Sequence, residues 1–179
     1  MFFQSKPDNL FFLRFMAADV FFIEEQVHGL LAAKFQEETF QDCFLVEINL
    51  HQGNKLEVFI DCDSGLTLDK CQQISRYLEA HIDEAGWLGE KYVLEVSSPG
   101  LTRPLKLLRQ YQKNIGRKVE ATLIENGVIK TGILKSVTEH AFTIEETLKV
   151  KEGNKSIKKT VLTELPFGGV KKTMIVISF

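Results

Sequence analysis

Three carboxylates in the N-terminal half are the first residues whose spacing could support chemistry. Asp61, Asp63 and Asp69 lie close enough in sequence to suggest a divalent metal site. An EF-hand loop requires glycine at its sixth position and glutamate at its twelfth. Counted from Asp61, Gly65 is fifth and Gln72 is twelfth, so this motif is excluded. We interpret these residues as turn formers before a helix, and a metal-dependent nuclease is the alternative.

Other catalytic patterns find no support in the sequence. Ser97 and Ser98 lie outside any G-x-S-x-G motif, and the chain has neither a Walker-type loop nor a G-x-G-x-x-G turn. The four histidines are scattered. The three cysteines, an odd number without C-x-x-C spacing, are expected to be buried free thiols in a reducing compartment (Cys43, Cys62 and Cys71). We therefore predict no catalytic residue, no metal, no cofactor and no enzymatic activity.

The charged residues divide the chain into two halves of opposite sign. Residues 1–105 hold 8 basic and 17 acidic residues, a net charge of −9, and residues 106–179 hold 14 basic and 7 acidic residues, a net charge of +7. Such asymmetry indicates a partner carrying both signs, or two partners. Two solvated domains that attract each other are the alternative.

Basic residues in the second half are typical of phosphate contacts, which give affinity with little sequence specificity. Four of them lie within ten positions, with Tyr111 among them, and five lysines cluster in a predicted loop around Glu152-Gly153-Asn154. This loop cluster comprises Lys149, Lys151, Lys155, Lys158 and Lys159. A solvated lysine-rich loop is the alternative interpretation. The residues that we predict to contact RNA are Arg109, Lys113, Arg117, Lys118, Lys130 and Lys135.

Hydrophobic periodicity in the first half predicts a small sheet covered by helices. A helix from Thr67, its predicted N-cap, ends near Gly86. The predicted order is α-β-β-α-β, with a helix at 24–39, a hairpin of strands at 44–51 and 55–61, the second helix, and a strand at 92–97.

The second half shows short alternating runs that favour a small β-barrel. Residues 105–114 are predicted to form a short helix that ends at Gly116, and Asn126-Gly127 is a strong hairpin signal. The predicted strands are 117–123, 128–135, 141–146, about 157–163, and 173–178.

A rigid connector joins the two halves. Pro99-Gly100 suits a type II turn, because proline presets φ at the second position and glycine accepts the positive φ of the third. We therefore predict domains at 24–103 and 104–179, with junction residues that set shape more than they make contacts: Ser97, Ser98, Pro99, Gly100 and Arg103.

Residues 1–23 are expected to be an irregular, phenylalanine-rich extension. No stretch is apolar over the length needed to span a membrane, and no signal-peptide pattern is present. Met16 is an alternative start, which peptides from residues 1–15 in the native protein would refute.

Four stretches together resemble the ribosome maturation factor RimP family over about residues 24–178. The specific one is Leu94-Glu95-Val96-Ser97-Ser98-Pro99-Gly100-Leu101, followed by Arg103-Pro104-Leu105. Supporting stretches are Leu56–Asp61, Gly65-Leu66 with Leu68–Cys71 and Ser75-Arg76, and Gly116 with Gly132-Ile133-Leu134.

This resemblance implies an α+β protein with a KH-like N-terminal domain and an SH3-like β-barrel. It also implies a cytoplasmic, monomeric, non-enzymatic factor that binds the small (30S) ribosomal subunit through ribosomal RNA and a basic ribosomal protein. A general RNA-binding adaptor with an SH3-like or Sm-like barrel is the alternative function.

Overall fold

The computed structural model describes residues 9–152 and 155–177, with side chains described for 20–149 and 157–177. The chain divides into two compact units, Met1–Ser98 and Pro99–Phe179. Each unit has its own sheet and its own buried apolar cluster. The predicted α+β class is confirmed. The division falls five residues before the predicted boundary, inside the Ser97–Gly100 connector.

The N-terminal unit follows the predicted α-β-β-α-β order. Its elements are α1 (Asn9–Lys34), β1 (Cys43–His51), β2 (Lys55–Cys62), α2 (Leu68–Ala85) and β3 (Val93–Ser97), with a 3₁₀ turn at Glu38–Phe40. The sheet order is β1-β2-β3, in which β2 pairs antiparallel with β1 and parallel with β3. The crossover through α2 makes that parallel pairing possible.

Both long helices bury one apolar stripe against this sheet. Ile74, Leu78 and Ile82 recur every four residues on α2 and are fully buried. The ends of α2 are those that the sequence predicts: the Thr67 hydroxyl accepts the backbone N–H of Lys70 at 3.2 Å, and Gly86 ends the helix at φ +67°.

Helix α1 is longer at its start than the sequence indicated. It begins at Asn9, so residues 9–23 are helical where we expected an irregular extension, and it ends at Lys34 instead of residue 39. Leucine, methionine and alanine favour helix, and neither glycine nor proline occurs between residues 8 and 28. Residues 1–8 lie outside the described residues, and a start at Met16 remains a prediction.

The C-terminal unit is a short helix followed by an antiparallel sheet. Its elements are α3 (Leu108–Lys113), β4 (Lys118–Leu123), β5 (Ile129–Val137), β6 (Ala141–Glu152), β7 (Lys155–Pro166) and β8 (Val170–Ile175), with a 3₁₀ turn at Phe167–Gly169. The strand order is β7-β6-β5-β4-β8. Among the described residues β7 and β8 are outer strands that do not pair, so a closed SH3-like barrel, like the KH-like description, remains a prediction.

Strands β6 and β7 are much longer than predicted. They pair continuously from Ala141 opposite Pro166 to Glu152 opposite Lys155. The lysines expected in a loop therefore lie on two paired strands. The prediction failed because lysine has low strand propensity, whereas register with a partner strand overrides that propensity.

The cysteines differ from the prediction of three free thiols. Cys43 and Cys62 form a disulfide, and only Cys71 is free among the described residues. The β1–β2 register places Cys43 directly opposite Cys62, a proximity that nineteen intervening residues conceal in the sequence. Burial raises the pKa of the Cys71 thiol.

Among the described helices, none is both long and apolar enough to cross a membrane.

Candidate nucleic-acid interface

Helix α3 is held on the C-terminal sheet by one buried aromatic residue. The Tyr111 ring centroid lies 5.0 Å from that of Phe142 and 5.0 Å from that of Phe167. Burial raises the pKa of Tyr111, so its hydroxyl stays protonated at neutral pH. Arg109 and Lys113 are four residues apart and share one side of the helix, where both are half-buried.

Two buried amides shape the ends of α3. The Gln110 side-chain oxygen accepts the backbone N–H groups of Lys106 at 2.8 Å and Leu107 at 3.0 Å. At the other end, the Asn114 side-chain amide donates a hydrogen bond to the Gln110 carbonyl at 2.7 Å. The Asn114 side-chain oxygen accepts a hydrogen bond from the Arg117 guanidinium at 3.0 Å. Arg117 is exposed, and its partner is a neutral amide. This contact therefore orients the guanidinium without neutralising its charge.

Gly116 connects this helix to the sheet. It has φ +90°, a conformation that favours glycine, and its N–H donates to the Leu134 carbonyl at 2.7 Å. Leu134 in turn donates to the Arg117 carbonyl at 2.9 Å. The exposed Lys118 follows as the first residue of β4. Four predicted RNA contacts thus belong to one short, well-supported segment, Arg109–Lys118.

The other two predicted RNA contacts lie on β5 and have acidic partners. Lys130 donates to the buried carboxylate of Glu146 at 3.1 Å, and Thr163 donates to the same carboxylate at 2.5 Å. Lys135 lies 3.4 Å from Glu145 at a bulge in the β5–β6 register. The two carboxylates partly neutralise the positive charge of Lys130 and Lys135. These lysines therefore attract phosphate less strongly than unpaired lysines would.

A second basic surface lies on the end of the β6–β7 hairpin. We call residues 147–152 and 155–160 the basic ribbon. The pairing of β5 with β6 extends only to Glu145, so beyond it the ribbon has two strands. Lys149 lies directly opposite Lys158, and Lys159 lies opposite Leu148. All three lysines are exposed, and no ion pair to them exists among the described side chains.

Like charges directly opposite each other destabilise a strand pair. The Lys149–Lys158 pair is therefore a position where a bound anion would relieve repulsion. Lys151 and Lys155 lie on the same strands, nearer the turn. From the sequence we expected these lysines in a loop and did not include them among the predicted RNA contacts. The overlooked signal was Leu148-Lys149-Val150-Lys151, in which apolar residues alternate with lysine as in a half-buried strand.

The connector has the backbone that a type II turn needs at its glycine. Ser97 is the last residue of β3, and Gly100 has φ +62°. Ser98, Pro99 and Arg103 are the remaining junction residues. Their role in setting the shape of the connector remains a prediction.

The three carboxylates considered for a nuclease do not come together. Asp61 accepts the backbone N–H of Cys62 at 2.9 Å, and Asp69 accepts the Gln73 side chain at 2.8 Å. Within the described part of the chain, the one group spaced to hold a metal is Asp42 with Cys43 and Cys62, whose sulfurs are already bonded to each other.

Comparison with known proteins agrees with the motif resemblance. The family model of the RimP N-terminal domain matches residues 31–102. A ribosome maturation factor RimP from Cytophaga hutchinsonii is 37% identical over 149 residues, which cover 77% of this chain and 87% of the relative. Proteins of the same name from two strains of Porphyromonas gingivalis are 37% identical over 124 residues, covering 69% of this chain and 79% of each relative. The chain therefore belongs to the RimP family.

Proposed function

We propose that this protein is a ribosome maturation factor that binds the small (30S) ribosomal subunit during its assembly. The observation that carries the proposal is the match to proteins named ribosome maturation factor over most of both chains. The protein would act by binding alone, as a cytoplasmic monomer without catalysis, cofactor or metal.

The charge of the two units supports two kinds of contact. Residues 1–98 hold 7 basic and 17 acidic residues, and residues 99–179 hold 15 basic and 7 acidic residues. Opposite charges raise the rate of encounter and exclude wrong partners. The acidic unit suits a basic ribosomal protein, and the basic unit suits ribosomal RNA.

Within the basic unit, the Arg109–Lys118 segment and the basic ribbon are the surfaces that suit RNA. Arg117 and Lys118 are exposed on a support fixed by Gly116 and Asn114, and Lys149, Lys158 and Lys159 are exposed on the ribbon. Lysine contacts to phosphate position a protein on RNA without reading its sequence. Selectivity would then come from the shape of the assembling subunit and from the protein partner.

Assistance to assembly requires more than affinity. A factor that binds immature and mature subunits equally shifts no equilibrium between them. The proposal therefore requires tighter binding to the immature particle, with release once the RNA and protein neighbourhood has reached its mature arrangement.

Co-sedimentation tests this function. Purified protein is centrifuged with immature small subunits, mature small subunits, large subunits and an unrelated structured RNA, each over a salt series. We expect binding to small subunits, tightest to immature ones and weaker as salt rises. Equal binding to every particle and to unrelated RNA would instead identify a general RNA-binding adaptor, and no binding to small subunits would refute the proposal.

A further inference from the structure

The open end of the β1–β2 pair carries a disulfide that ribosome binding does not explain. Cys43 is the first residue of β1 and Cys62 is the last residue of β2. They lie directly opposite each other in the register and are bonded. Cys43 is 3% exposed and Cys62 is 0% exposed. The third cysteine, Cys71, lies on α2 and is not part of the pair.

Charged groups surround this disulfide from neighbouring segments. The Lys70 ammonium, on α2, lies 2.7 Å from Asp42 Oδ1 and 3.7 Å from Cys43 Sγ. Asp42 Oδ1 is itself 3.6 Å from Cys43 Sγ. Asp42 Oδ2 accepts the Ser64 backbone N–H at 3.0 Å and also the Ser64 hydroxyl. The start of β1, the turn after β2 and the first turn of α2 therefore meet at the sulfur pair.

We propose that Cys43 and Cys62 form a reversible dithiol–disulfide site that reacts with low-molecular-weight disulfides of the glutathione type. Oxidation links β1 to β2 at their open end, and reduction releases that link. The site is independent of the proposed ribosomal function, since it needs no ribosomal partner.

The reaction balances as two thiol–disulfide exchanges. One protein thiolate attacks a sulfur of the small disulfide, forms a mixed disulfide and expels a small thiolate. The second protein thiolate attacks the protein sulfur of that mixed disulfide, closes the Cys43–Cys62 bond and expels the other small thiolate. Two protein thiols lose two protons and two electrons, and one small disulfide becomes two small thiols. Reduction runs through the same steps in reverse.

Two features of the site favour such exchange despite its burial. Both cysteines are at strand ends, where local opening costs less free energy than opening in the middle of a sheet. The Lys70 ammonium lies beside Cys43 Sγ, where positive charge stabilises a thiolate. The nearby Asp42 carboxylate opposes this effect, but it is paired with the same ammonium.

Thiol counting over a glutathione redox series tests the proposal on the full chain. The protein is equilibrated at several ratios of reduced to oxidised glutathione, quenched with acid, unfolded, alkylated and analysed by intact and peptide mass spectrometry. We expect three alkylated cysteines under reducing conditions, and one, Cys71, under oxidising conditions, with residues 43 and 62 linked. Cys71→Ser should keep the transition, and Cys43→Ser and Cys62→Ser should each abolish the linkage.

Thermal unfolding gives a second readout. The oxidised protein should melt higher than the reduced protein by roughly 10 °C or more, because the disulfide closes a loop in the unfolded chain and so reduces the entropy gained on unfolding. This difference should persist in Cys71→Ser and vanish in Cys43→Ser.

Three results would each overturn the proposal. The first is three alkylatable thiols at every glutathione ratio, and the second is a bond that glutathione cannot reduce in the folded protein. The third is stoichiometric zinc binding by the reduced protein that protects both thiols from oxidation, which would make this a metal site.

Discussion

At the residue scale, Gly132 occupies a position in β5 that has no room for a side chain. A Cβ atom there would lie 2.6 Å from the Glu145 carbonyl oxygen and 3.2 Å from the Ile144 Cβ, both on β6. The obstacle is strand backbone, which can move only if β5 and β6 separate. We expect Gly132→Ala to lower the free energy of unfolding by about 1–3 kcal/mol, measured by urea denaturation.

Gly29 provides the control for that substitution. It lies exposed in α1, and a Cβ atom there would meet nothing within 4 Å. Gly29→Ala should raise stability by about 0.5–1 kcal/mol, because alanine favours helix over glycine. Destabilisation by both substitutions would contradict the steric explanation for Gly132.

Gly100 tests the connector through its backbone. Its φ is +62°, and a Cβ atom would have open space around it, so the cost of substitution lies in conformation alone. We expect Gly100→Val to cost about 1–3 kcal/mol, measured by thermal unfolding. Gly100→Asn should cost less, because asparagine tolerates the left-handed region. Equal stability of the valine variant and the parent protein would mean that the turn assignment is wrong.

Asp42 gives a prediction about pH. The hydrogen bond from Lys70, followed by that from Ser64, holds the pKa of Asp42 well below its ordinary value. An unfolded aspartate titrates near pH 3.9, so the stabilising contribution of Asp42 is complete above about pH 5 and is lost as pH falls further. Asp42→Asn should therefore reduce stability at neutral pH, by less than about 1 kcal/mol because the pair is partly exposed.

The same variant should show a flatter decline of stability below pH 5, measured by urea denaturation at stepped pH. Glu57, whose pKa is lowered to about 2 by His51 and then Lys55, should keep its contribution in the variant. Glu57→Gln is the matched control, because it removes a different carboxylate of lowered pKa and leaves the Asp42–Lys70 pair in place. Parallel stability curves for Asp42→Asn and the parent protein would contradict the role given to Lys70.

At the element scale, the basic ribbon predicts a defined loss of RNA affinity. Replacing Lys149 and Lys158 with glutamine removes two phosphate contacts, so the slope of log K against log salt should become shallower by about 1.5–2. Binding to different RNAs should weaken equally, because the contacts are to phosphate. Fluorescence anisotropy with a ribosomal RNA fragment and an unrelated RNA over a salt series measures both.

The control variant also loses two positive charges, but on β8 instead of the basic ribbon. Lys171 and Lys172 are exposed on β8, and their double glutamine variant should leave the salt slope nearly unchanged. The ribbon variant should also be slightly more stable than the parent protein without RNA, since it removes a like-charge pair. Equal loss of affinity in both variants would indicate a diffuse effect of net charge.

Elements with local signals are the ones that the sequence predicted well. Helix α2 has an N-cap at Thr67, a stripe of buried residues and a stop at Gly86, so its bounds needed no tertiary information. The Cys43–Cys62 bond and the full length of β6 and β7 depend on register between distant residues, which local patterns do not encode. The same reason explains why the Lys130–Glu146 ion pair was missed, and why the exposed Lys149–Lys158 pair was placed in a loop.

At the scale of the whole molecule, two separate cores predict separable unfolding. The core of the N-terminal unit includes Leu56, Ile74 and Leu78, and that of the C-terminal unit includes Leu134 and Ile144. Each cluster is built from residues of its own unit. Two-state behaviour is expected of single small domains and fails commonly in proteins with several.

Trp87 makes this separation measurable, because it is the one tryptophan of the chain. It packs against the N-terminal core, with its ring centroid 6.2 Å from that of Phe22. Tryptophan fluorescence therefore reports the N-terminal unit, whereas far-ultraviolet circular dichroism reports both. We expect Gly132→Ala to lower the urea midpoint of the C-terminal transition seen by circular dichroism and to leave the fluorescence midpoint unchanged. An equal shift of both midpoints would instead show that the two units unfold as one cooperative body.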